Sequence, residues 1–106
     1  MRERRFRVKL KKELRGLFPG CLIIPGDSGE IQGLPDLIIL YKTRWAALET
    51  KKTSTSNKRL NQDYYVDLMN EMSFAAFVCP ENKEEVLYEL QQALTSRRSA
   101  RVSRSK

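Results

Sequence analysis

Apolar residues recur at helical spacing near the start of the chain and define the first predicted element. Within residues 3–17 they repeat every three or four positions, which is typical of an amphipathic helix with one buried face. The apolar stripe consists of Phe6, Leu10, Leu14 and Leu17. Phe18-Pro19-Gly20 follows directly and predicts the end of the helix.

Short apolar runs in the next part of the chain predict strands over residues 21–25, 35–41 and 44–51. A glycine-rich loop, residues 26–33, separates the first strand from the second. Lys42-Thr43 supplies a turn between the second and the third. A later apolar run, residues 73–79, predicts a fourth strand, which we place in the centre of the sheet.

Two further helices complete the pattern. Residues 58–72 carry apolar side chains at a spacing of four, which predicts an amphipathic helix with Tyr64 packed in the core. Its stripe consists of Leu60, Tyr64, Leu68 and Met72. Residues 81–97 predict a last helix that buries Val86, Leu87, Leu90 and Leu94. The order α-β-β-β-α-β-α predicts one mixed α/β domain over residues 1–96.

Composition restricts the possible chemistry. The chain has 106 residues and no histidine, so no mechanism that needs a histidine base applies. Cys21 and Cys79 lie in apolar runs, which predicts buried free thiols in a reducing cytoplasm, with a disulfide as the alternative. Two cysteines without histidine cannot form an ordinary zinc site. No stretch is apolar enough to span a membrane, and no secretory signal is expected at the N-terminus.

Charge is distributed unevenly along the chain. The net charge is +7, with +6 in residues 1–15, −4 in residues 16–96 and +5 in residues 97–106. The last segment is rich in serine and arginine and is predicted to be a disordered basic tail. Two basic ends favour a polyanionic partner that contacts the tail without reading sequence.

Strand register brings two carboxylates together. A two-residue turn at Lys42-Thr43 pairs Tyr41 with Arg44 and, at the far end of the hairpin, places Asp36 opposite Glu49. Strand alternation puts Lys51 on the same face as Glu49. Facing carboxylates repel one another unless a proton or a cation lies between them, and oxygen ligands suit Mg²⁺ or Mn²⁺. The competing interpretation is a surface hairpin with an ordinary Glu49–Lys51 ion pair.

The combination of Pro35-Asp36, an apolar strand and Glu49-Thr50-Lys51 resembles the signature of the PD-(D/E)XK nuclease superfamily. Gly33-Leu34-Pro35-Asp36-Leu37, with Gln62 on the following helix, is most similar to the VRR-NUC and Holliday-junction-resolvase-like branches. The resemblance covers about residues 3–95. It implies a restriction-endonuclease-like α-β-β-β-α-β-α core, with a mixed sheet flanked by helices.

The resemblance also implies roles for individual residues. Asp36 and Glu49 would be metal ligands together with the Thr50 carbonyl, and Lys51 and Gln62 would be catalytic. Members often add a glutamate from the first helix, for which we choose Glu3, since it lies within the apolar stripe, over Glu13 at its edge. The residues expected to contact nucleic acid are Arg4, Arg5, Lys52, Lys58 and Arg59.

The expected function is therefore a Mg²⁺- or Mn²⁺-dependent endodeoxyribonuclease, selective for branched DNA such as a junction or flap. It would act as a homodimer in the cytoplasm of a bacterium or a phage-infected cell. One alternative is a non-catalytic nucleic-acid-binding module with a nuclease-like fold. Another is a nicking, restriction-type or RNA-cutting nuclease.

Overall fold

The computed structural model describes residues 3–26, 29–53 and 61–95 of the chain. Its elements, in chain order, are α1 (Glu3–Leu17), β1 (Leu22–Pro25), β2 (Leu37–Tyr41), β3 (Arg44–Thr50), α2 (Gln62–Met72), β4 (Phe74–Val78) and α3 (Lys83–Thr95). The predicted α/β class and element order are confirmed. Within the described part, no helix has the length and apolar character that crossing a membrane would require. The predicted basic tail, residues 97–106, lies outside the described residues.

The four strands form one mixed sheet in the order β1-β2-β3-β4. β2 pairs antiparallel with both β1 and β3, whereas β4 pairs with β3 in parallel. β4 is thus an edge strand of the described sheet, and its predicted central position is wrong. Its sequence is apolar because α2 and α3 both pack against it.

The hairpin of β2 and β3 has the predicted register. Tyr41 pairs with Arg44 across a two-residue turn, and Leu37 pairs with Leu48 at the opposite end. Lys42 takes the left-handed conformation that such a tight turn requires, with φ 57°. This register fixes which residues of the two strands lie beside each other at the end where the candidate site is found.

One core lies between the sheet and the helices α1 and α3. Phe6, Leu10 and Leu14 are buried there as predicted, but Leu17 is 36% exposed and Phe18 is fully buried instead. Phe18 lies one turn beyond Leu14, to whose carbonyl its N–H donates at 2.9 Å. From α3 this core receives Val86, Leu87, Leu90 and Leu94, all of which were predicted.

Helix α2 covers the opposite face of β3 and β4 and buries a different side from the predicted one. Tyr64 is 60% exposed and Met72 is 64% exposed, so their predicted core positions are wrong. The buried residues of α2 are Gln62 and Val66. Residues 58–60, which were expected to begin this helix, lie outside the described residues.

Both cysteines are free thiols, as predicted. Cys79 is buried and Cys21 is partly buried. Burial raises the pKa of the Cys79 thiol above its ordinary value, and a hydrogen bond with the Glu81 side chain acts in the same direction. Cys79 therefore remains a protonated, apolar core residue at neutral pH.

Candidate functional site

The end of the β2–β3 hairpin brings Asp36 and Glu49 into contact. Asp36 lies one residue before β2, and its backbone N–H donates to Glu49 Oε1 at 3.0 Å. This contact continues the register beyond the Leu37–Leu48 pair. The predicted juxtaposition of the two residues is therefore present in the fold.

The Asp36 carboxylate has partners other than those expected from strand alternation. Its Oδ1 accepts from the Thr50 backbone N–H at 3.2 Å, and its Oδ2 accepts from the Thr50 hydroxyl at 2.6 Å. Arg7 of α1 forms an ion pair with the same Oδ2 at 3.0 Å. Since alternation turns Thr50 away from Glu49 and Lys51, the Asp36 carboxylate is bonded on the side of the hairpin that faces α1. A protein cation thus compensates its charge.

Glu49, Lys51 and Gln62 form a second hydrogen-bonded group, which we call the Glu49 group. Gln62 Nε2 donates to Glu49 Oε2 at 2.7 Å, and Lys51 Nζ donates to Gln62 Oε1 at 2.8 Å. Lys51 Nζ also lies 3.9 Å from Glu49 Oε2. The first residue of α2 therefore bridges two charged residues at the end of β3, and Gln62 lies beside the motif as predicted.

Burial makes the Glu49 group unusual. Glu49 is 0% exposed, Gln62 2% and Lys51 8%. Removing a carboxylate and an ammonium from water costs several kcal/mol per ion, of which their mutual attraction returns only part. Such a group is weak as a stabilising device. Ionisable side chains that are buried beside a cleft are candidates for a functional site.

A cleft opens beside these residues. Its volume is about 680 Å³, and its lining includes Arg7 and Lys11 of α1, Asp36, and Gln62 of α2. The loop of residues 29–34 also lines the cleft. The cleft thus contacts Asp36 and, through Gln62, the Glu49 group. Its lining carries two cationic side chains, Arg7 and Lys11, and two acidic ones, Glu30 and Asp36.

The residue types at this end of the hairpin are those that supply oxygen ligands to a hard cation. Asp36 and Glu49 supply carboxylates, and Mg²⁺ in proteins is usually held by one or two carboxylates together with substrate phosphate. Continuing the register places Pro35 opposite Thr50. Because proline has no N–H, β2 offers no backbone donor to the Thr50 carbonyl there. Across residues 3–26, 29–53 and 61–95, no group of three or more His, Cys, Asp or Glu side chains is placed to hold a metal.

The remaining predicted residues are distributed as follows. Arg4, Arg5 and Lys52 are exposed, as a role in contacting phosphates requires, whereas Lys58 and Arg59 lie outside the described residues. Glu3 begins α1 one turn before Arg7, and its side chain is outside the described part. The alternative helix carboxylate, Glu13, forms an ion pair with Lys83 of α3 at 2.9 Å, and not with any residue of the hairpin end.

Arg7 is the residue of the site that the sequence did not predict. It lies next to Phe6 of the apolar stripe, and no pattern in the sequence assigned it a role. The available signal was its spacing, because Arg7 and Lys11 are one turn apart and share a helix face at the edge of the stripe. Helical spacing shows which face of α1 carries Arg7. It does not show that Arg7 pairs with Asp36, which is 29 residues away in the chain.

Three comparisons with known proteins complete the description of the site. No family model, no curated protein and no solved structure matches this chain.

Proposed function

We propose that this chain is a metal-dependent endonuclease of the PD-(D/E)XK type that hydrolyses phosphodiester bonds of DNA. The observation that carries the proposal is the buried Glu49 group, with Glu49, Gln62 and Lys51 joined by hydrogen bonds of 2.7 and 2.8 Å beside Asp36. Two carboxylates with a neighbouring lysine, beside a cleft that Arg7 and Lys11 help to line, are the residue types that metal-assisted phosphodiester hydrolysis requires.

Each residue of the site would have a separate role in the reaction. Asp36, Glu49 and the Thr50 carbonyl would hold Mg²⁺ or Mn²⁺, which supplies Lewis-acid stabilisation of the phosphate and lowers the pKa of water. Lys51 would orient the attacking water or stabilise the negative charge that develops on the phosphate. Gln62 accepts from Lys51 and donates to Glu49, so it holds both charged groups in position.

We further propose that the substrate is branched DNA and that two copies of the chain act together. One described site can cut one strand, so cutting two strands calls for a symmetric pair. An apolar area on the β1–β2 half of the sheet favours such pairing. Leu22 and Leu40 lie opposite each other in register, and they are 62% and 37% exposed.

The test is a cleavage assay on supercoiled plasmid and on a synthetic four-way junction, a flap and a linear duplex. We expect cleavage with Mg²⁺ or Mn²⁺, none with EDTA, and faster cleavage of the branched substrates than of the duplex. Cleavage that is unaffected by EDTA would overturn the metal requirement. Equal rates on all substrates would overturn the preference for branches.

A second candidate is a nucleic-acid-binding module without catalysis. The ion pair between Arg7 and Asp36 favours it, because a carboxylate that is already compensated needs no metal for electrostatic reasons. Binding of the junction without cleavage in Mg²⁺ or Mn²⁺ would support this candidate over the nuclease.

A further inference from the structure

Arg7 forms an ion pair with the carboxylate of Asp36, the residue proposed above as a metal ligand. Its Nη1 lies 3.0 Å from Asp36 Oδ2 and 3.4 Å from the Thr50 hydroxyl, which donates to the same carboxylate oxygen. The arginine side chain is 32% exposed and that of Asp36 is 17% exposed. The pair is thus partly screened from water and open to the cleft on one side.

We propose that Arg7 is an internal competitor for the divalent cation, holding the Asp36 carboxylate when no metal is bound and releasing it when metal binds. The inference rests on the proposed function, since it takes Asp36 as a metal ligand. A guanidinium stays protonated in proteins, so Arg7 cannot relieve the conflict by losing its charge. A divalent ion and the guanidinium repel each other at such short range, and Asp36 therefore serves one or the other.

The released guanidinium stays in the cleft that it lines together with Lys11. Arginine is well suited to phosphate because its planar donors match two phosphate oxygens. Arg7 would then exchange an internal carboxylate for a substrate phosphate. The exchange lowers metal affinity in the free protein and favours metal binding when a polyanion occupies the cleft.

The test is the affinity for Mn²⁺ alone, measured by calorimetry on wild type, Arg7→Gln, Lys11→Gln and Glu49→Gln. Arg7→Gln should bind Mn²⁺ at least about fivefold more tightly than wild type, because a charge-assisted partner of Asp36 is lost. Lys11→Gln removes the same charge from the same cleft without touching Asp36, and it should change the affinity much less. A melting curve for each variant confirms that it is folded.

The outcomes separate this inference from the proposed function. Tighter binding in Arg7→Gln, with weaker binding in Glu49→Gln, supports the competition. An equal increase in Mn²⁺ affinity in Arg7→Gln and Lys11→Gln would show that only the loss of positive charge in the cleft matters, and it would overturn the proposed competition. If wild type binds Mn²⁺ and cleaves DNA while Arg7→Gln binds no more tightly, the competition alone fails. If neither wild type nor Arg7→Gln binds Mn²⁺, the metal site fails and the competition with it.

Discussion

At the scale of single residues, the site depends on one amide that is bonded to two buried charges. Gln62 donates to Glu49 through its nitrogen and accepts from Lys51 through its oxygen. A glutamine can do both at once because its side chain carries a donor and an acceptor on the same carbon. Neither a carboxylate nor an apolar side chain of similar size offers this combination.

Gln62→Leu should therefore lower the free energy of unfolding by about 2–4 kcal/mol, because it removes the bridging partner of two buried charged groups. Urea unfolding measures the change. Gln92→Leu, the same substitution at an exposed position of α3, is the matched control and should shift stability by about 0.5 kcal/mol or less. Equal stability of the two variants would contradict a bridging role for Gln62.

The sequence allowed Asp36, Glu49, Lys51 and Gln62 to be predicted as neighbours, since hairpin register and a motif both point to them. It did not allow the direction of the Asp36 carboxylate to be predicted. Asp36 precedes β2, so the alternation of side chains along a strand does not fix the direction of its side chain. The Thr50 hydroxyl and Arg7 determine that direction instead. Both partners are distant in sequence, which no local pattern reveals.

At the scale of elements, the loop between β1 and β2 positions Asp36. Gly26 and Asp36 are joined by a backbone hydrogen bond of 3.1 Å from the glycine N–H to the Asp36 carbonyl. A Cβ at residue 26 would lie 1.8 Å from the carbonyl oxygen of Pro35. Only glycine therefore allows the two chain segments to approach this closely.

Gly26→Ala should destabilise the fold by roughly 2 kcal/mol or more, because the added methyl group forces the Pro35-Asp36 backbone away from β1. Gly16→Ala is the matched control, since a Cβ at that position of α1 meets nothing within 4 Å. Alanine in a helix is favoured over glycine by up to about 1 kcal/mol, so the control should be neutral or stabilising. Thermal unfolding measures the stability of both variants. A Gly26→Ala variant as stable as Gly16→Ala would contradict the close approach of residue 26 to the Pro35 backbone.

Element bounds and register were predictable where apolar spacing was regular, as in α1 and the β2–β3 hairpin. The buried face of α2 was not, because it contains Gln62, and a polar residue on a buried face breaks the apolar pattern. Tyr64 and Met72 have helical spacing, but they lie on the exposed side of α2. The position of β4 was missed for a related reason, since an edge strand that is covered on both faces has the composition of a central one.

At the scale of the whole molecule, charge separates the ends of the chain from its middle. The +6 of residues 1–15 includes Arg7 and Lys11 at the cleft, and the −4 of residues 16–96 includes Asp36 and Glu49. The +5 of residues 97–106 adds a second basic segment. A polyanion would therefore be attracted by both basic segments of the chain.

Deleting residues 97–106 should weaken DNA binding to a similar degree for all sequences and should reduce the salt dependence of binding. Each phosphate contact that is lost lowers the slope of log K against log salt by about 0.9 for duplex DNA. Fluorescence anisotropy at several salt concentrations measures both effects. A loss confined to one DNA sequence would contradict a nonspecific phosphate contact.

The most direct measurement for the whole molecule is the rate at which Glu49→Gln cuts supercoiled plasmid in Mg²⁺. The substitution keeps an oxygen that can accept from Gln62 but removes the metal-binding charge, so the rate should fall at least about 100-fold. Lys42→Asn, at the opposite end of the hairpin in a left-handed position that asparagine tolerates, should cut at the wild-type rate. A folded Glu49→Gln protein that cuts at the wild-type rate would contradict the proposed metal-dependent nuclease site.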